Sequence, residues 1–203
     1  MVYPRFGKRA FDIALAIALL PLIAPVVVLL SAVISLQGGN AIFGHRRVGR
    51  DGKVFRCWKL RTMVVDAEER LLAHLRNDPS AAAEWERDHK LTHDPRITPL
   101  GRFLRRTSLD ELPQIWNVLT NDMSFVGPRP VVRSELHKYG PHRATYKSMT
   151  PGITGFWQVS GRNDITYPER VELDLAYAKS QSLITDAKVI LKTAASVVGA
   201  TGR

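Results

Sequence analysis

Cysteine is almost missing from this chain: Cys57 is the only one in 203 residues, which excludes an internal disulfide and a cysteine-rich zinc site. Histidine offers little more. The six histidines are scattered, and only His89 and His93 have helical ligand spacing, without the glutamate of an H-E-x-x-H arrangement, so they read as a solvated helix end. The chain has no G-x-G-x-x-G, no Walker A loop and no internal repeat, which disfavours dinucleotide and ATP folds and a solenoid. Charge, too, is absent from Ile13 to Gln37.

That uncharged stretch is the first thing the sequence does have. Straight helix over residues 13–36 would run about 36 Å, enough for a hydrocarbon core of about 30 Å. A secretory signal fits poorly, because the run is too long and no small-residue cleavage site follows. Pro21 and Pro25 lie four apart near its middle, so Pro25 cannot donate to the Pro21 carbonyl, and Pro21 cannot donate to Ile17. Arg5, Lys8 and Arg9 precede the segment, and Arg46, Arg47 and Arg50 follow it. Basic flanks on both sides give a spanning helix no orientation, but they suit a helix-break-helix hairpin with both ends in the cytoplasm. An ordinary proline-kinked spanning helix is the competing reading.

Lysine and arginine outnumber aspartate and glutamate by 29 to 19, giving a formal charge of +10. An anionic partner follows: nucleic acid, anionic lipid or nucleotide phosphate. After Gly38-Gly39-Asn40, strands are expected over 41–48 and 53–60, joined by a turn containing Asp51-Gly52. Most of the hairpin's basic residues suit lipid headgroups, while Lys59 and Arg61, where the hairpin gives way to a helix, are the better site candidates. Helices of alternating charge over 66–76 and 81–90 read as a solvated lid or spacer. A basic amphipathic turn over 100–106 leads into the most chemically loaded stretch.

That stretch is Thr107 to Pro130, TSLDELPQIWNVLTNDMSFVGPRP. Asp110 and Glu111 stand between Arg105-Arg106 and Gly127-Pro128-Arg129-Pro130. A carboxylate can act as nucleophile or hold Mg2+, while arginine forks neutralise phosphate oxygens. The plainer reading is a helix start, either a Ser108/Glu111 capping box or, since Pro113 disfavours that register, Asp110 as the cap. Capping does not exclude chemistry, because helix N-termini also attract phosphate. Arg129 between two prolines loses little freedom on gripping an anion. Downstream, PGITGFWQVSGRN supplies glycines for close backbone approach, Phe156-Trp157 and Arg162, a set able to stack a base and bind its phosphate. Helices are expected over 169–178 and 186–198.

KRAFD, RVGRDGKVF, KLRTM, SLDELPQ, NVLTNDMSFVGPRP and PGITGFWQVSGRN, in this order from about Arg5 onward, resemble the bacterial sugar transferases, the small monotopic phosphoglycosyl transferases. The resemblance implies an α+β, mostly helical protein with a re-entrant membrane helix anchor over 1–40. A cytoplasmic catalytic domain over 41–203 would lie on the membrane face, with a small β-hairpin and amphipathic interfacial helices. It implies transfer of a sugar 1-phosphate from a UDP-sugar to undecaprenyl phosphate at the cytoplasmic face of the bacterial inner membrane. UMP would leave, and exopolysaccharide or glycoconjugate assembly would begin. By that resemblance Asp110 is the nucleophile, forming a covalent aspartyl phosphosugar, and Glu111 helps with Mg2+, so both carboxylates form the metal site. Arg129 is the phosphate clamp, Arg162 a nucleotide contact, Lys59 a further phosphate contact, and Pro25, with Pro21, the membrane break. Ala24 departs from members with serine before that proline. The four extra membrane helices of larger relatives are not expected here. The C-terminal part tilts the donor toward galactose or glucose. Nucleic acid is not an expected partner, and a homodimer stays open. The rival classes are a membrane-anchored basic binding module and a phosphodiesterase that only hydrolyses UDP-sugars.

Overall fold

The computed structural model of the chain describes residues 3–88, 90–161 and 165–198. A short π-helical turn, Tyr3–Gly7, leads into helix α1, Lys8–Ser35, which is assigned without interruption through Pro21 and Pro25. Both prolines expected to break it therefore sit inside one continuous helix, with no intervening loop. Asp12, Ala16, Leu19, Ile23, Val27, Leu30 and Ile34 recur at steps of three and four, so one stripe of α1 faces the protein along its length. Ile17, Leu22, Val28, Leu29 and Leu36 stay exposed on other faces.

Both ends of α1 are tied to the folded body. At the start, Lys8 Nζ pairs with Asp186 Oδ2 at 2.7 Å, and Asp12 Oδ1 accepts from Ser124 Oγ at 2.9 Å and Phe125 N at 3.1 Å. Arg9 donates to the carbonyls of Val118 and Leu119 at 2.5 and 2.9 Å, at a helix C-terminus, where a cation is favoured. At the far end, Arg61 donates to the carbonyls of Ile34, at 3.1 Å, and Gly38. Arg61, expected near a site, is thus a cap for the membrane-type helix.

Strands β1, Ile42–Val48, and β2, Val54–Leu60, form the expected antiparallel hairpin, with Asp51 at φ 57° and Gly52 at φ 76° in its turn. Helices α2, Ala67–Asn77, and α3, Pro79–Asp88, pack as a pair, followed by α4, Pro99–Thr107. Helix α5, Gln114–Leu119, seals the outer edge of β2 through Asn117, which is fully buried. Its Oδ1 accepts from Trp58 N at 3.0 Å and its Nδ2 donates to Arg56 O at 2.8 Å, pairing edge groups that would otherwise be unmet.

The second sheet is a parallel pair, β3, Ser124–Val126, and β4, Gly152–Thr154, connected by a 3-10 segment, Arg133–His142, and helix α6, Arg143–Ser148. Helices α7, Phe156–Ser160, α8, Tyr167–Ser180, and α9, Leu183–Val198, complete the chain. The mostly helical α+β class holds. The core is divided, with one cluster joining Ala16 to Phe55, Cys57, Ile115 and Val118, and another joining Val48 to Tyr139, Tyr146 and Val171.

Candidate active site

Alternation along the hairpin places Arg47, Cys57 and Lys59 on one face, since Arg47 pairs with Phe55 and Lys59 with Phe43. That face looks toward the turn after α4. Ser108 ends α4 in the left-handed region, φ 57°, and a tight 3-10 turn, Leu109–Glu111, follows. Pro113 then caps α5, so neither Ser108 nor Asp110 caps a helix with its side chain. The reversal instead directs both acids at β2. Lys59 Nζ lies 2.6 Å from Glu111 Oε1 and 3.6 Å from Asp110 Oδ2.

Burial and charge act against each other here. Asp110 is only 7 % exposed, and burial, aided by Glu111, raises its pKa, while Lys59 and Arg105 pull it back. Burial alone would lower the Lys59 pKa, but Glu111 and Asp110 outweigh it and hold the ammonium charged. Arg105 is fixed by a 2.9 Å bond from its Nε to Thr62 Oγ1.

Arg129 is delivered by backbone stacked on backbone. Gly127 N donates to Thr154 O and Gly152 N to Pro128 O, each at 2.9 Å. A Cβ on Gly152 would fall 2.1 Å from Gly127 N, so only glycine permits the approach. The close backbone approach expected of these glycines is made, at Gly152 and Gly155, by the neighbouring loop at Gly127. Tyr146 adds a strut: its hydroxyl donates to Val48 O at 2.7 Å and accepts from Val131 N at 3.1 Å. Arg129 then lies over the Trp157 ring, 5.5 Å from its centroid, and Arg170 lies 4.7 Å from the same centroid. Trp157, 5 % exposed with two guanidiniums against it, orders arginines.

These parts enclose one cavity of about 420 Å³. Arg47, Lys59, Arg105, Arg129 and Glu111 belong to its polar wall, while Asp110 lies outside the lining, 3.6 Å from Lys59. Ile23 of α1, Leu112, Ile115, Phe125 and Ile153 form its apolar wall. The structure therefore brings together Asp110, Glu111, Lys59 and Arg129. Arg162 lies outside the described residues. Pro21 and Pro25 flank Ile23, so the middle of the apolar helix borders the charged pocket. Arg47, read as a headgroup contact, belongs to this pocket; its period-two register with Lys59 was the available signal. Burial, together with Arg129, lowers its pKa.

The acid pair suits Mg2+, which binds through one or two carboxylates and completes its shell with phosphates and water. Among the described residues no cluster of three or more His, Cys, Asp or Glu could hold a metal unaided. The donor set fits a cation brought together with a phosphate ligand.

Residues 3–200 match the family model described as bacterial sugar transferase. The UDP-galactose-lipid carrier transferase of Erwinia amylovora is 51% identical over 93% of this chain and 40% of its own length. The undecaprenyl-phosphate galactose phosphotransferase of Salmonella typhimurium is 52% identical over 96% of this chain and 41% of its own. Exopolysaccharide production protein ExoY of Rhizobium meliloti is 43% identical over 94% of this chain and 85% of its own. The chain spans about two fifths of the length of the first two relatives.

Proposed function

Given that the chain belongs to the bacterial sugar transferase family, we propose that it moves a sugar 1-phosphate from a UDP-sugar to undecaprenyl phosphate, releasing UMP and starting exopolysaccharide or glycoconjugate assembly. The observation that carries this reading is the meeting, around one cavity, of Glu111, a set of cations and the middle of an apolar helix, with Asp110 reaching the lining residue Lys59. A diphosphate needs the cations. A polyprenyl chain needs the apolar wall. Galactose in the names of two relatives favours galactose as the sugar, with glucose next.

In the first step the Asp110 carboxylate attacks the sugar-bearing phosphorus of the donor. An Asp110 oxygen to phosphorus bond forms, and the phosphoanhydride bond breaks, its bridging oxygen leaving with UMP. In the second step a phosphate oxygen of undecaprenyl phosphate attacks the same phosphorus. The acyl phosphate bond breaks, the carboxylate is restored, and a lipid diphosphosugar departs with no net proton change. Burial raises the Asp110 pKa, and Lys59 and Arg105 act against that rise, favouring the carboxylate that attacks. Arg47 and Arg129 face the phosphates' negative charge. Mg2+ held by Asp110 and Glu111 with donor oxygens would supply further charge neutralisation.

Incubation with Mg2+ and UDP-galactose alone should label each chain with at most one hexose phosphate, on the peptide carrying Asp110. Asp110→Asn should abolish both adduct and UMP release. Continuous UMP release without lipid would instead mean simple hydrolysis, and normal turnover by Asp110→Asn would exclude the nucleophile.

A monotopic, re-entrant placement of α1 at the cytoplasmic face of the inner membrane is part of the proposal. Its support is that both ends of a helix long and apolar enough to cross a membrane are bonded to one folded body, while Ile23 at its middle borders the polar cavity. Spanning would draw Lys59 and Arg105 toward hydrocarbon. Cysteines placed at Phe6 and Gln37 should label from the same side, and labelling from opposite sides would refute this topology.

A further inference from the structure

We propose that Arg170 is the second half of an arginine clamp, assembled on Trp157 with Arg129, that grips the phosphates of the nucleotide diphosphate donor. The inference rests on the donor reading above and adds to it a residue and a place.

Trp157 is 5 % exposed and carries both guanidiniums. Two like charges held against one ring repel each other, a repulsion that a bound anion relieves. Nothing within the described protein supplies that anion. Neither Arg129 nor Arg170 has an ion-pair partner among the described residues, and Arg170 Nε is buried without a hydrogen-bond partner, as is Trp157 Nε1.

Two carboxylates of the same helix are used otherwise. Glu169 Oε2 accepts from Thr166 N at 2.6 Å and Thr166 Oγ1 at 2.8 Å, closing the capping box that starts α8. Asp174 stands four residues on, the usual helical partner for an arginine, yet its Oδ2 accepts from Tyr139 and its Oδ1 is buried without a partner. Arg170 forgoes that pairing and lies on the indole instead. An arginine so placed keeps its planar fork open for a bidentate phosphate contact.

Location selects the ligand. Trp157 and Arg129 line the cavity, and α8 packs on α6, α7 and the 3-10 segment before α6. Helix α1 packs on α5, β2 and β3. Arg170 does not itself line the cavity but meets it through Trp157, on elements other than those with which α1 chiefly packs, which suits a water-soluble nucleotide. A lipid phosphate would enter beside α1.

The test uses the full chain in nanodiscs, with UDP binding measured by calorimetry and the KM for undecaprenyl phosphate by UMP release. Arg170→Gln should weaken UDP binding roughly 10- to 100-fold, the loss expected for charge-assisted hydrogen bonds. Arg170→Lys should recover little, because charge without the fork does not restore a bidentate contact. The acceptor KM should stay within about twofold under saturating donor, and both variants should melt like the parent. UDP affinity within twofold of the parent in Arg170→Gln overturns the clamp, as does a change confined to the acceptor KM. A parent chain that fails to bind UDP overturns the donor reading itself, which separates the two failures.

Discussion

Lys59 Nζ lies 2.6 Å from Glu111 Oε1 and shares its remaining reach with Asp110, so a single ammonium sets the charge balance of both acids. Without it two adjacent carboxylates would face each other, one of them buried. Lys59→Met should therefore push the Asp110 carboxyl further above the ordinary carboxylate range, beyond what burial already does. UMP release should fall roughly 10- to 100-fold near neutral pH, and the acid limb of the pH profile should move upward. Lys59→Arg should keep the limb near its original position. An unmoved limb in Lys59→Met would separate Lys59 from Asp110 ionisation.

The tie between Lys8 and Asp186 predicts a stability effect distant from the chemistry. Asp186 is fully buried and accepts from Lys8, Tyr3 and Tyr177 at 2.7, 2.7 and 2.8 Å. Lys8→Met removes the only cation from that set and should cost about 3–5 kcal/mol, the usual penalty for stranding a buried charge. Lys8→Met with Asp186→Asn should recover much of the loss, because an amide oxygen still accepts from the tyrosines. Thermal unfolding in detergent measures both, and equal melting of single and double variants would count against a stranded charge.

Asp174 predicts the pH dependence of stability. Burial raises its pKa from 3.8 to about 7, partly opposed by the hydrogen bond from Tyr139. The folded state therefore holds a proton that the unfolded chain has already released. Stability should fall as pH rises from about 4 through about 7 and then level off. Asp174→Asn keeps the tyrosine bond and removes the proton, so this part of the slope should vanish. Melting temperatures across that window decide the matter.

Local patterning made much of this legible. The Asp51-Gly52 turn located the hairpin, the uncharged run located α1, and the acid pair between arginines located the cavity. Boundaries moved where polar contacts overrode apolar periodicity: α1 begins at Lys8, five residues before the uncharged run, because Lys8, Arg9 and Asp12 are all bonded into the body. Pro113 argued correctly against a Ser108 capping box, but the alternative start at Asp110 missed the 3-10 turn, because serine rarely adopts the positive φ that Ser108 uses to make it. The β3–β4 pair escaped because its strands are short and more than twenty residues apart in sequence, leaving no hairpin signal. Arg170 escaped for a similar reason, since only the folded chain reveals which ring it meets and which carboxylates it forgoes.

Arg61, holding the final carbonyls of α1, follows Lys59 by two residues along one stretch of backbone. The end of the apolar helix and the ammonium between the acids thus hang on the same few residues of backbone. In the proposed placement, a pull on that end of α1 would reach the strand carrying Lys59 through a single side chain, as a mooring line reaches its post.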